Sequence, residues 1–155
     1  MAHPRKPALR PAELEQLLQE EARPILSLLR HHSYSETSLE TEPAGLGPVT
    51  TLTLESRTAK RRIHIGLSWL DGEAGIDILI YRLPRRGGRD GMALYRFALL
   101  HIPGLQESDF QVDGARPLRE EVARLMNLYS RILGDQALPV VKGRMWEEGL
   151  IYQRV

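Results

Sequence analysis

The sequence has no cysteine among its 155 residues. Disulfides and thiolate chemistry are therefore excluded, and the absence favours a reducing compartment. No apolar run approaches the roughly 20 residues that a bilayer-spanning helix needs. The N-terminal stretch MAHPRKPALRP carries basic residues but lacks the apolar h-region of a secretory signal. A cytoplasmic protein without a membrane partner is the expectation. Neither sign of charge dominates: 21 basic against 20 acidic residues leave a net charge of +1. Internal repeats and low-complexity blocks are also missing. No serine stands in a G-x-S-x-G elbow, and no H-x-x-x-H, H-E-x-x-H or clustered carboxylate pair occurs, so the sequence gives no catalytic residue, metal ligand or cofactor motif.

What is present is alternation. Ile63, Ile65, Leu67 and Trp69 recur every second residue with His64, Gly66 and Ser68 between them, and Ile76, Ile78 and Ile80 repeat the period beyond the turn DGEAG. Side chains alternate faces along a strand, so residues 61–83 read as a β-hairpin with one apolar face. A four-residue loop over 71–74 sets Trp69 opposite Ile76, Leu67 opposite Ile78 and Ile65 opposite Ile80. A slip by one would turn the isoleucines outward and set Asp77 beside Trp69. The second face, with Leu70, Leu79, Tyr81 and Leu83 beside His64 and Ser68, is too apolar for a wet surface and too polar for a core. The C-terminal segment is expected to cover part of it.

A chain of this length suits one domain, read as a flexible tail over 1–10 followed by a single α+β domain over 11–155. Leu14, Leu17, Leu18, Ala22, Ile25, Leu28 and Leu29 repeat at helical spacing from about Pro11 to Arg30. Pro24 demands either a bend or a break into two short helices. Arg30, His31 and His32 suit the carbonyl end of that helix, and adjacent histidines make a poor chelate. Residues 34–42 read as an acidic edge strand, 43–48 as a loop, 49–55 as a strand and 56–60 as a turn. Met92–Ile102 fits both periods: Leu94, Phe97 and Leu100 make a helical set, but a strand returning antiparallel to the hairpin is preferred. A short extended piece is expected at 110–112. Pro117–Leu133 reads as a second helix with Gly134 as its C-cap. Trp146 and Tyr152 mark the remainder as packed. The fold class is α+β, an antiparallel β-meander of four to five strands packed by an N-terminal helix and a second helix near the C-terminus.

The strongest local signal is charge. Lys60, Arg61 and Arg62 begin the third strand, Arg82, Arg85 and Arg86 end the fourth, and an antiparallel hairpin brings these ends together, with Arg57 and Arg89 in adjoining loops. Only Glu55 and Asp90 are acidic nearby in sequence. Such a rim is a solvated sheet end partly neutralised by acids elsewhere, a contact for an acidic protein partner, or a nucleic-acid surface on which Tyr81 and Tyr95 stack bases. Balanced overall charge weighs against the last. His64 and His101 would face each other if 92–102 were a strand, though a lone histidine in a strand is more often structural.

In architecture alone, a helix, an antiparallel meander and a second helix resemble small bacterial binding proteins such as toxin-immunity proteins and secretion chaperones. That resemblance implies a non-enzymatic protein-binding module of immunity, inhibitor or chaperone-like type. Its partner would be a protein, for instance a toxin or effector with an acidic surface. The expected contact residues are Arg57, Lys60, Arg61, Arg62, Tyr81, Arg82, Arg85, Arg86 and Arg89, and the alternative is a nucleic-acid-binding accessory protein using the same arginines.

Overall fold

The computed structural model describes residues 9–148 and residue 150. Most of the tail expected over 1–10 lies outside them, as does Tyr152. Pro24 divides the first helical stretch: α1 spans Pro11–Glu21 and α2 spans Arg23–His31, so the proline falls in a first turn where its missing amide hydrogen is not needed. Four strands of ten residues follow: β1 (Ser35–Ala44), β2 (Gly47–Ser56), β3 (Arg61–Leu70) and β4 (Glu73–Arg82). A short β5 (Gly91–Ala93) leads directly into α3 (Leu94–His101). A 3-10 turn at Glu107–Phe110, α4 (Leu118–Gly134) and α5 (Leu138–Val141) complete the order. The five strands form one antiparallel meander in sequence order, β1-β2-β3-β4-β5.

The hairpin keeps its expected faces but not its expected register. Its loop is Asp71-Gly72 alone, with φ of 51° and 77°, the paired positive values of a type I′ turn. Trp69 therefore pairs with Ala74, Leu67 with Ile76, Ile65 with Ile78 and Ile63 with Ile80. The displacement is by two residues, which leaves every side chain on the face its alternation assigned. The expected loop over 43–48 also shrinks, since Ala44 pairs with Gly47. The two hairpin tips touch, the Asp71 amide donating to the Leu46 carbonyl at 2.9 Å.

One sheet face forms the core. Leu52, Ile65 and Ile78 lie side by side across the three central strands; Leu54, Ile63, Ile80 and Met92 form the next row, all buried. Leu14, Leu18, Ile25 and Leu29 from α1 and α2 join this cluster, as do Val122, Leu125, Met126 and Ile132 from α4. Helix α4 packs against α2, α1 and β4.

Met92–Ile102 is not a strand beyond its first two residues. Pairing with β4 ends at Ala93, and the chain turns helical to bury Leu94, Phe97 and Ala98, while Leu100 is exposed. The segment carried both periods, and the burial of Leu94, Phe97 and Ala98 at spacings of three and four decides for the helix. Likewise, Glu107–Phe110 is a 3-10 turn where an extended piece was expected nearby. Gly134 closes α4 from inside its last turn, and Asp135 is the residue beyond.

Candidate functional site

The hairpin does bring the arginines together. Arg61 and Arg82 are direct cross-strand partners, as are Arg62 and Tyr81, and the Arg85 guanidinium lies over the Tyr81 ring at 4.6 Å. Arg62 and Arg85 thus both border Tyr81. Alternation then sends the cations to different tasks. Arg61 points to the core face, continuing the row of Ser56 and Arg82, and is only 5% exposed. It donates to the carbonyls of Val140, Lys60 and Met145 at 3.1 Å each, so it satisfies the end of α5 and the turn before β3. Burial lowers its pKa, and Arg82 adds to that, but a guanidinium stays charged in water-accessible pH.

Arg82 donates to the Asp90 carboxylate at 2.8 and 3.0 Å, and its guanidinium and that of Arg61 both stack on Trp146, at 5.3 and 5.0 Å from the ring centre. Asp90 also accepts the amides of Arg86 and Gly87, which folds the loop after β4 back on itself; those bonds and Arg82 hold its carboxyl below the ordinary range. Arg62 pairs with Glu55 at 2.6 Å. Glu148 lies 3.5 Å from Arg82 and 3.9 Å from Arg89, a neutralising acid from the far end of the sequence. Arg57, Lys60, Arg85, Arg86 and Arg89 are exposed. Two of the three acids that meet the rim, Glu55 and Asp90, are the ones nearby in sequence.

The described part of the C-terminal segment, up to residue 148 and residue 150, lies at the core-face end and beside β5, and the rest of that expectation falls outside the described residues. Trp146 sits against Arg61 and Arg82, at the end of the core face, with its indole nitrogen donating to the Arg89 carbonyl at 3.0 Å. Leu150 accepts the amide of Ala93 at 3.0 Å, beside β5. The second face remains half-exposed. On its β1–β3 side it is a shallow trough of Thr51, Thr53, Glu40, Glu42 and His64. His64 stacks on Tyr81 with ring centres 4.8 Å apart. Burial, then Arg62 and Arg85, lower its pKa, so it is the neutral imidazole that packs there. His101 is on α3, where it meets Phe97 and pairs with Glu147; it does not stand on a strand opposite His64.

On the β4–β5 side lies a cleft of about 730 Å³ that sequence reasoning missed. Asp77, Leu79 and Tyr81 of β4 line one wall, Tyr95 of α3 and Phe110 line the other, and Tyr129 reaches in from α4. The aromatic rings run in series, Tyr95 to Phe110 at 6.1 Å and Phe110 to Tyr129 at 5.5 Å. The Tyr129 hydroxyl donates to the Ile76 carbonyl at 3.2 Å, and burial raises its pKa. The far wall is fixed by a small polar knot. Buried Glu121 accepts the Asp113 amide at 2.6 Å and Arg124 Nε at 2.9 Å, while Arg124 donates to the carbonyls of Asp109 and Gln111.

Two features make the cleft unusual. Asp77 keeps an accessible side at the mouth while protein crowds the rest of it, and that loss of water raises its pKa, with no charged or hydrogen-bonding neighbour lowering it among the described residues. Further, among the described residues β5 pairs only with Leu79–Tyr81, and beyond it the edge of β4 is covered by side chains, with Ile76 and Ile78 buried and the Ile76 carbonyl held by Tyr129. Arg85 also lines the cleft, which makes cleft and rim one continuous surface through the Tyr81–Arg85 stack.

Among the described residues, no group of three or more histidines, aspartates or glutamates is placed to hold a metal ion, and no helix is long and apolar enough to cross a membrane. The paired rings of His31 and His32 simply meet edge to face at 5.1 Å. Compared with known proteins, the chain matches no family model, no curated protein and no solved structure.

Proposed function

We propose that this protein is a non-enzymatic protein-binding module, of immunity, inhibitor or chaperone-like type, whose contact surface is the aromatic cleft together with the exposed arginines at its mouth. The observation that carries this reading is the cleft itself. It is lined by aromatic rings together with Asp77, Glu107 and Gln111, and it ends at Arg85. Aromatic residues and arginine are the side chains that dominate protein interfaces. The rim cations divide accordingly. Arg61, Arg62 and Arg82 are occupied within the fold, whereas Arg57, Lys60, Arg85, Arg86 and Arg89 keep exposed side chains that can meet an acidic surface, Arg85 from over the Tyr81 ring and Arg89 from beside Glu148.

The test is affinity capture with the tagged full chain, followed by reconstitution with the purified captured protein. A 1:1 complex that weakens at least tenfold with Tyr81→Ala plus Arg85→Ala is the expected result. Undiminished binding by that double variant rejects the cleft and rim as the contact surface. Nucleic acid is the second reading, favoured by the cation-over-ring stack at Tyr81. It calls for a gel shift at two salt concentrations, where a phosphate-bound complex weakens with a log–log slope of about 0.7–0.9 per phosphate neutralised.

A further inference from the structure

The cleft owes its depth to two small residues. On this face of the sheet Leu79 stands beside Ala93 and Tyr81 beside Gly91, so β5 offers a methyl group and a hydrogen where large side chains would fill the space. Ala93 and Gly91 lie buried at the floor, and Tyr95 and Phe110 stand on the far side. Leu79 and Tyr95 are half-exposed, so the hollow keeps apolar surface in water. An aromatic ring seated there removes that surface from water and meets two further rings.

Charge is sorted along the same space. Arg85 closes the Tyr81 end and Arg86 follows it in the loop; both are exposed, and the side chain of neither meets a carboxylate among the described residues. Asp77 lies toward the other end, four residues before Tyr81 on an extended strand and so roughly 13 Å along it. Glu107, the other acid of the lining, stands across from β4 in the 3-10 turn before Phe110. A carboxylate is therefore drawn to the arginine end and turned away from the opposite one.

We propose that the cleft receives an aromatic side chain of the partner protein, seated between Leu79, Tyr95 and Phe110 over Ala93, with acidic residues adjacent to it in the partner's sequence held by Arg85 and Arg86. Two neighbouring guanidinium groups left without acids argue for an acidic segment over a neutral one, since each can take a carboxylate in a two-pronged contact. The contact is made by side chains alone and asks for no pairing along β4, whose Ile76 carbonyl is already held by Tyr129. The inference rests on the protein-binding reading and specifies what that surface recognises.

The experiment is an NMR titration of the full chain with the peptide acetyl-Glu-Asp-Ala-Phe-Ala-Asp-Glu-amide, whose acids on both sides serve either chain direction. Saturable shifts confined to the amides of 79–81, 85–87, 93–96 and 110–111 are expected. Affinity should fall at least tenfold when the phenylalanine is replaced by alanine, and at least tenfold when the acids are replaced by their amides. Arg85→Glu plus Arg86→Glu should lose the acidic peptide and bind a version with lysines in place of the acids. No saturable shift, or equal binding of either altered peptide, overturns the proposal. So does retention of the acidic peptide by the charge-reversed protein. A single-stranded oligonucleotide that binds the same residues more tightly also overturns it, in favour of a phosphate ligand. The altered peptides meet the unaltered protein, so the outcome does not depend on how a variant folds. If the partner complex is weakened by Tyr81→Ala plus Arg85→Ala yet the acidic peptide does not compete with the partner, this inference fails while the protein-binding reading stands.

Discussion

Arg61 and Arg62 are consecutive, yet a strand sends them to opposite faces and so to opposite energetic situations. Arg61 is buried under three backbone carbonyls and an indole; Arg62 is a half-exposed partner of Glu55. A planar fork that reaches several acceptors is not replaced by an ammonium. Arg61→Lys should therefore destabilise by about 2 kcal/mol, as buried carbonyls lose donors. Arg62→Lys should stay within about 1 kcal/mol, as exposed ion pairs do. Urea denaturation of the two variants makes the comparison. Asp77 offers a test of opposite sign. Its folded pKa lies above the ordinary value, so the folded state holds the proton more tightly than the unfolded chain. The ionised carboxylate is then a burden above that folded pKa, and the burden disappears as pH falls below the ordinary carboxylate value. Asp77→Asn should raise the melting temperature at pH 7, with a gain that shrinks toward zero on acidification, measured by thermal unfolding across pH 3–7.

At the scale of the element, hairpins were legible where one periodicity stood alone and ambiguous where two coexisted. Ile63 to Trp69 and Ile76 to Ile80 each alternate strictly, so their faces were readable. Their register was not, because DGEAG accommodates both a four-residue loop and the two-residue Asp-Gly turn, and both point the same side chains inward. Residues 92–102 satisfied both periods, and the end of pairing at Ala93 with the burial of Leu94, Phe97 and Ala98 decides between them. The turn after α5 is a point where backbone geometry is tight. Gly143 has φ of 76°, and an added Cβ would stand 2.3 Å from the Ala59 carbonyl oxygen. Gly143→Ala should cost about 2 kcal/mol or more, since a strained φ and a backbone clash add. Chemical denaturation would register it, whereas Gly114→Ala, with open space around it and no positive φ, should change little.

For the molecule as a whole, the sheet and its covering helices followed from pattern, but the cleft did not. Its walls come from residues 77, 81, 95, 110 and 129, brought together by three elements and a loop, and no local spacing announces them. The arginine rim was visible because a hairpin joins its two halves. The acid that partly neutralises it from a distance, Glu148, was hidden for the same reason as the cleft. The rows of the core predict where stability is greatest. Ile65 is fully buried between Leu52 and Ile78, so Ile65→Ala should cost about 3–4 kcal/mol, the range of a large-to-small change in a packed core. Among the strands of the unaltered protein, amide exchange should be slowest along the central β3 and fastest in β1 and β5, the two outer strands.

The clasp of Arg61 on Val140, Met145 and Trp146 joins positions about 80 residues apart. During synthesis the hairpin leaves the ribosome well before the residues that quiet its inward-facing guanidinium. Until residues 140–146 are in place, the Arg61 guanidinium keeps its water and that end of the apolar face cannot close, so a chain lacking them should remain loosely collapsed and protease-sensitive. Locking into its final form thereby waits for a contact supplied from far along the sequence.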